Sequence, residues 1–225
     1  MSQSDGYKGD ANLFSAASQF NSISFLVNQI LNGKNVAGLV QIKAVTNTGG
    51  LSPVGFVDVQ PMVNQLDGNG NAIPHGTIHN LIYFRLQGGA NAVIIDPQVG
   101  DIGFAVFADR DISAVKATKA IGNPGSSRRA DMADGAYFGG FLNGTPTQYI
   151  QFSAGGISVT SPTKITLTAP VVEIDASTNV AINTPVVAAS ATITAATDVV
   201  GGGKSLKTHV HSGVSTGGSN TGGPV

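Results

Sequence analysis

A two-residue apolar signature recurs at near-constant intervals in the C-terminal part of the chain, and few folds accept such a pattern. Pairs stand at Ile157/Val159, Ile165/Leu167, Val172/Ile174, Val180/Ile182 and Val187/Ala189, their starts eight, seven, eight and seven residues apart. The members of a pair are two apart, so both side chains leave the same face of a strand. Ser, Thr, Asn, Pro and Ala fill the intervals, as in Ser161-Pro162-Thr163 and Thr184-Pro185. Short strands with a regular turn period predict a solenoid or β-helix. Between Gln148 and Gly203 only Lys164, Glu173, Asp175 and Asp198 are charged. One ribbon with one narrow apolar edge buries too little to offset the entropy of ordering its backbone. Its stripes need partners. Three identical ribbons wound about one axis would turn the pairs inward and pair their edges, and cyclic symmetry would leave no strand edge free. A single-chain solenoid and an aggregation-prone polar tract are the competing readings.

Upstream the pattern differs. Leu13, Phe14, Ala17, Phe20, Ile23, Val27, Ile30 and Leu31 follow helical spacing between Asn12 and Asn32, with Gly33 as a C-terminal stop. Such a helix either packs on its own domain or docks on a partner. From Lys34 to Lys119 come short β-like runs, Ala37–Val45, Gly55–Pro61, Ile78–Leu86 and Gly103–Ala108. Turn signals separate them at Asn47 to Gly50, Asp67 to Asn71, Gly88-Gly89 and Asp96-Pro97. A small barrel of the OB type is expected, with a sandwich as the alternative. OB barrels often bind oligonucleotides. Here the formal net charge is −1 and the interleaved basic and aromatic residues of a single-strand groove are missing, so no nucleic-acid partner is expected. The barrel reads as a structural platform. Residues 120–147 are rich in Gly, Ser, Pro and Asn and read as a linker. Within it Arg128-Arg129, near Asp131 and Asp134, reads as a solvated loop in preference to a phosphate patch.

Other classes are excluded by what the chain lacks. It has no cysteine, hence no disulfide, thiolate metal site or Cys nucleophile. It has no apolar run of about 18 residues to span a bilayer. Met1 to Asp10 does not resemble a secretory signal, so synthesis in the cytoplasm is expected. Asp58, Asp67, Asp101, Asp109 and Asp111 have no histidine at a recognisable spacing, so neither catalysis nor a small-molecule substrate is expected. His75 and His79 read as ordinary, partly exposed residues. His209 and His211 differ, because they stand where the repeat gives way to a Gly-rich tail. In a continuing strand both imidazoles would point the same way. One chain offers only a two-ligand clip. Around a threefold axis the pair becomes six nitrogens, which suits an octahedral Fe(II), Ni or Co better than four-coordinate Zn(II). With every position filled by protein, such a metal would be structural.

The ending His209-Val210-His211-Ser212-Gly213, followed by Thr216-Gly217-Gly218 and Thr221-Gly222-Gly223-Pro224, resembles that of the baseplate assembly protein V and membrane-puncturing spike group of contractile-tailed phages. The segment Pro97 to Gly103, running to Phe107-Ala108-Asp109-Arg110-Asp111, is similar to a barrel element of the same group. The resemblance implies a mainly β homotrimer in five parts. These are an N-terminal helical segment (1–33), an OB-like collar barrel (34–119), a linker (120–147), an intertwined three-chain β-helix (148–203) and a metal-capped tip (204–225). It implies one iron per trimer held by His209 and His211 of each chain, docking to a tail hub protein through the N-terminal end, and contact of the tip with the host outer membrane. The expected function is a structural, non-enzymatic spike of the virion's tail baseplate that pierces the membrane when the sheath contracts. A trimeric tail fibre or adhesin that binds a cell-surface receptor is the alternative.

Overall fold

The computed structural model describes residues 14–47, 50–52, 55–66, 70–213 and 217–218. Asn12, Leu13, Asp67, Thr216 and Thr221 to Pro224, all singled out above, lie outside the described residues. The chain divides into two compact units, Met1–Thr163 and Lys164–Val225.

Helix α1 spans Gln19–Asn32. It begins later than the apolar spacing suggests because the Ser18 side chain caps it, accepting from the Asn21 N–H at 3.1 Å. Gly33 closes it, donating its N–H to the Gln29 carbonyl at 3.3 Å. No residue of α1 is buried.

The strands of the first unit are β1 (Ala37–Val45), β2 (Phe56–Pro61), β3 (Gln65–Leu66), β4 (Ala72–Ile73), β5 (Ile78–Tyr83), β6 (Leu86–Gly88), β7 (Asn91–Val93), β8 (Ile102–Phe107), β9 (Gly135–Gly139), β10 (Tyr149–Ser153) and β11 (Gly156–Thr160). A short helix α2 covers Ser113–Thr118. Five strands close a barrel in the order β1-β2-β5-β9-β8, with β8 pairing back onto β1. All pairs are antiparallel except β5 with β9. The architecture is a small closed barrel consistent with the OB type, not a sandwich.

Alternation builds the core. Val40 and Ile42 on β1, Val57 and Val59 on β2, Leu81 on β5, Ala105 on β8 and Tyr137 on β9 point inward and are buried. The register of β1 against β2 shifts between Ile42 and Ala44, a bulge that bends the strand toward closure. Tyr137 reaches across to β8, where a Cβ on Gly103 would lie 2.5 Å from its ring and 2.4 Å from the Phe138 carbonyl. Glycine is the residue that leaves room.

Strand β9 corrects the reading of residues 120–147 as a linker throughout. Its five residues begin and end with glycine and carry too short an alternation to stand out, yet they supply the fifth barrel strand. The solvated-loop reading of Arg128 holds for its exposure but not for its partners, because the exposed guanidinium reaches two buried carboxylates. Arg128 Nη2 lies 3.2 Å from Asp111 Oδ2 and 3.0 Å from Asp134 Oδ1, and both carboxylates are buried. Hydrogen bonds from Ser113 and then Ser126 hold the Asp111 carboxyl well below the usual carboxylate range. Asp134 also accepts the Ile112 N–H at 3.2 Å. These contacts fasten the loop to the strand ends, because buried charges persist only when paired and hydrogen-bonded. A further ion pair, buried on both sides, joins Arg85 Nη2 to Asp96 Oδ1 at 2.6 Å, while the guanidinium also donates to the carbonyls of Ser52 and Gly50.

Strands β10 and β11 form an exposed hairpin. In the second unit, residues 164 to 198 form neither helix nor strand within one chain. Ile165, Leu167, Val172, Ile174, Val180, Ile182 and Val187 are all exposed. Among the described residues no helix is long and apolar enough to cross a membrane.

Candidate metal centre

The two histidines follow a small hairpin in the second unit. Strands β12 (Val200–Gly201) and β13 (Lys204–Ser205) pair antiparallel around Gly202 and Gly203, whose φ angles are +55° and +78°. That two-residue turn needs positive φ at both centres, so the glycine pair dictates it.

Asp198 ties down the far end of the hairpin. Its Oδ1 accepts the N–H groups of Val199 at 2.8 Å and Lys207 at 3.1 Å. The Ser205 hydroxyl, followed by the N–H groups of Lys207, Val199 and Leu206, holds the Asp198 carboxyl below its ordinary range. Ser205 Oγ accepts the Thr208 N–H at 2.9 Å, and the Ser205 carbonyl accepts the His209 N–H at 3.1 Å. The chain enters His209 through a turn, not through a continuing strand, since β13 ends at Ser205.

The turn nevertheless sets the two imidazoles together. Their centroids are 5.1 Å apart with the planes at 76°. His209 Nδ1 lies 3.1 Å from the Leu206 carbonyl oxygen. A carbonyl only accepts, so this contact selects the tautomer protonated at Nδ1 and leaves the Nε2 lone pair available to a metal. Both residues are exposed, and Gly213 adopts φ +82° just beyond them. The donor set fits a transition metal as a pair of neutral imidazoles. One chain cannot complete it, for among the described residues no three His, Asp or Glu side chains come together. Four to six ligands require further copies of the pair.

The roles of Asp198 and of the Leu206 carbonyl do not show in the spacing of the histidines. A lone acid in a charge-poor stretch just before Gly-Gly was the available signal for the first; the second is a backbone contact with no residue signature.

The other sequence-level candidates stand elsewhere. β2 and β5 are neighbours, and they bring His79 Nδ1 to 2.7 Å from Asp58 Oδ2, which corrects the expectation that no histidine partners these carboxylates. Burial pushes the Asp58 carboxyl up, but the Asn80 N–H and then His79 outweigh it and hold the group below its ordinary value. His75 contributes its backbone carbonyl to the Gln60 side chain. Asp101 accepts the Gln98 N–H within a turn, and Asp109 pairs with Arg110 at the surface. These contacts are local and do not converge on one point.

Residues 205–225 match the family described as Apex, the GpV Apex motif, which indicates the phage baseplate spike family. The match includes both histidines and begins at Ser205, the residue that anchors their turn. No curated protein matches the chain.

Proposed function

We propose that three copies of this chain form the central spike of a phage contractile-tail baseplate, a structural body that pierces the host outer membrane mechanically when the sheath contracts. The observation that carries the reading is the Apex motif seated on two exposed imidazoles, after a stretch whose apolar stripes find no partner in their own chain. The repeats of residues 148–203 wind with those of two further copies into a β-helix. Their apolar pairs meet on the axis, and their backbone groups pair between chains, since an unpaired group shielded from water is costly. His209 and His211 of the three chains hold one metal ion, iron in the first instance. When bound, the ion supplies a structural cross-link and not a reaction.

The roles follow from these parts. The barrel carries its own core and ion pairs, so it can transmit a push without relying on its neighbours for folding. The N-terminal end docks on the tail hub. The tip concentrates the force of contraction and presents no frayed strand to the membrane. No catalytic step is needed, and the protein works in the virion tail.

Native mass spectrometry of untagged protein purified without chelator tests the reading. A trimer carrying one iron per three chains is expected. The variant His209→Ala/His211→Ala should remain trimeric and lose the metal. A monomer, or a double variant that keeps stoichiometric metal, would overturn it.

A further inference from the structure

Helix α1 is built inside out. Phe20, Ile23, Val27 and Ile30 are 46–78% exposed, and so are Leu26 and Leu31 beside them. The half-buried positions are instead Asn21, Ser22, Ser24, Phe25 and Gln29. The side-chain nitrogen of Gln29 is shielded from water. The helix therefore half-buries its mostly polar side and leaves a continuous apolar stripe in solvent. A 14-residue helix is marginal in water without packing, and a patch of several hundred Å² of apolar surface marks an interface.

The spacing of the stripe says what covers it. Steps of three, four and three residues from Phe20 to Ile30 put these four side chains at the a and d positions of a heptad. Leu26 and Leu31 fall at the flanking g and e positions and widen the seam beyond the strip a two-helix pair uses. From Ala11 to Gly33 the chain has no Asp, Glu, Lys or Arg. A partner of different sequence is normally selected through charges at the rim, and this rim has none. At the a and d positions of a symmetric bundle a charge would meet its own copies, so a charge-free seam suits self-association.

We propose that α1 packs in parallel against the α1 helices of two further copies of this chain, as a three-helix seam separate from the shaft contacts. The inference rests on the proposed spike for the number three and on the helix for everything else.

The chain has no cysteine, so single-cysteine variants of the full-length protein report on this contact cleanly. Val27→Cys places a thiol on the seam, and Asn28→Cys places one on the exposed neighbouring position. Under mild oxidation, Val27→Cys should give interchain disulfide dimers at least tenfold above Asn28→Cys, and adding Ile23→Asp should erase that excess. Native mass spectrometry of the same samples separates the two proposals. Trimers without a Val27 excess overturn the α1 seam and leave the shaft standing, with a hub protein as the remaining occupant. Monomers without cross-links defeat both. Cross-links without a shaft-dependent trimer support the seam and defeat the shaft.

Discussion

Ile182→Ala is the substitution for which a one-chain and a three-chain shaft give the most different answers. Ile182 is 64% exposed within its own chain, and a substitution at such a surface position changes stability by no more than about 0.5 kcal/mol. Enclosed on a threefold axis, the same side chain becomes core. Truncating a buried isoleucine to alanine then costs about 2–5 kcal/mol, and symmetry imposes the loss on three copies, about 6–15 kcal/mol per trimer. At roughly 1.4 kcal/mol per decade, even the lower figure weakens assembly by about ten-thousandfold. The neighbouring Asn183→Ala, which the proposed strand would put on the opposite face of the ribbon, is the control. The assay is native mass spectrometry over a dilution series. It is joined by unfolding rates in guanidinium, because interwoven chains resist dissociation kinetically and equilibrium midpoints alone mislead. Ile182→Ala should fall apart at concentrations where Asn183→Ala remains trimeric. If the two variants agree within about 0.5 kcal/mol, the inward placement of the Val180/Ile182 pair is refuted.

The barrel answers to different rules because its core lies within one chain. Leu81→Ala, at 0% exposure, should lower barrel stability by about 2–5 kcal/mol in guanidinium titration, independently of protein concentration. Gly103→Ala drives a Cβ to 2.4 Å from the Phe138 carbonyl, a backbone atom that cannot swing aside, and should cost at least about 1–3 kcal/mol by the same titration. Burial, with Asp101 adding to it, pushes the Tyr137 hydroxyl up from 10.0 to about 12. A raised pKa favours the protonated form in the fold. The contribution is therefore complete below pH 10 and is lost as pH climbs through about 12. Thermal melts of the native protein should decline across that window, whereas Tyr137→Phe should flatten the decline. Because the Tyr137 hydroxyl is buried without a hydrogen-bond partner among the described residues, the same variant should match or slightly exceed the native stability at pH 7.

What could be read from the chain follows the range of the interactions. Ala37–Val45 sets Val40 and Ile42 two apart with Gln41 and Lys43 on the other face, and it forms that strand end to end. The run from Gly103 to Ala108 forms a strand shifted by one residue, Ile102–Phe107. Strand β9 escaped because three residues between its terminal glycines hold too few alternations to be told from a loop, and because its parallel partner β5 lies more than fifty positions away. The ion pairs escaped for a related reason. Arg85 with Asp96, and Arg128 with Asp111, look like scattered surface charges until the fold buries the first pair whole and the carboxylate of the second. The His-x-His pair was legible as a motif. Its orientation was not, because a glycine turn and a leucine carbonyl set it.

Charge placement connects these observations with the assembly. In the barrel, charged side chains are buried where a partner of opposite sign comes from elsewhere in the same chain, as Asp96 meets Arg85 and Asp134 meets Arg128. A cyclic homomer offers no such freedom near its axis, where a residue faces its own copies and a charge meets only like charge. Helix α1 carries no charge at all, and between Gln148 and Gly203 only four residues do. The exposed apolar residues of those two segments, Phe20 to Ile30 and Ile165 to Val187, are the ones a symmetric interior would accept. The histidines are the exception that fits the rule. Neutral imidazoles can meet their copies without repulsion, and a single cation between them turns that meeting into attraction. A charge introduced into either stripe should therefore be worse tolerated than a polar residue of equal size, with Ile30→Glu weakening assembly more than Ile30→Gln at neutral pH. Acidification through the glutamate range should narrow the gap; a gap that persists when the carboxylate is protonated would mean that shape, not like charge, governs the seam.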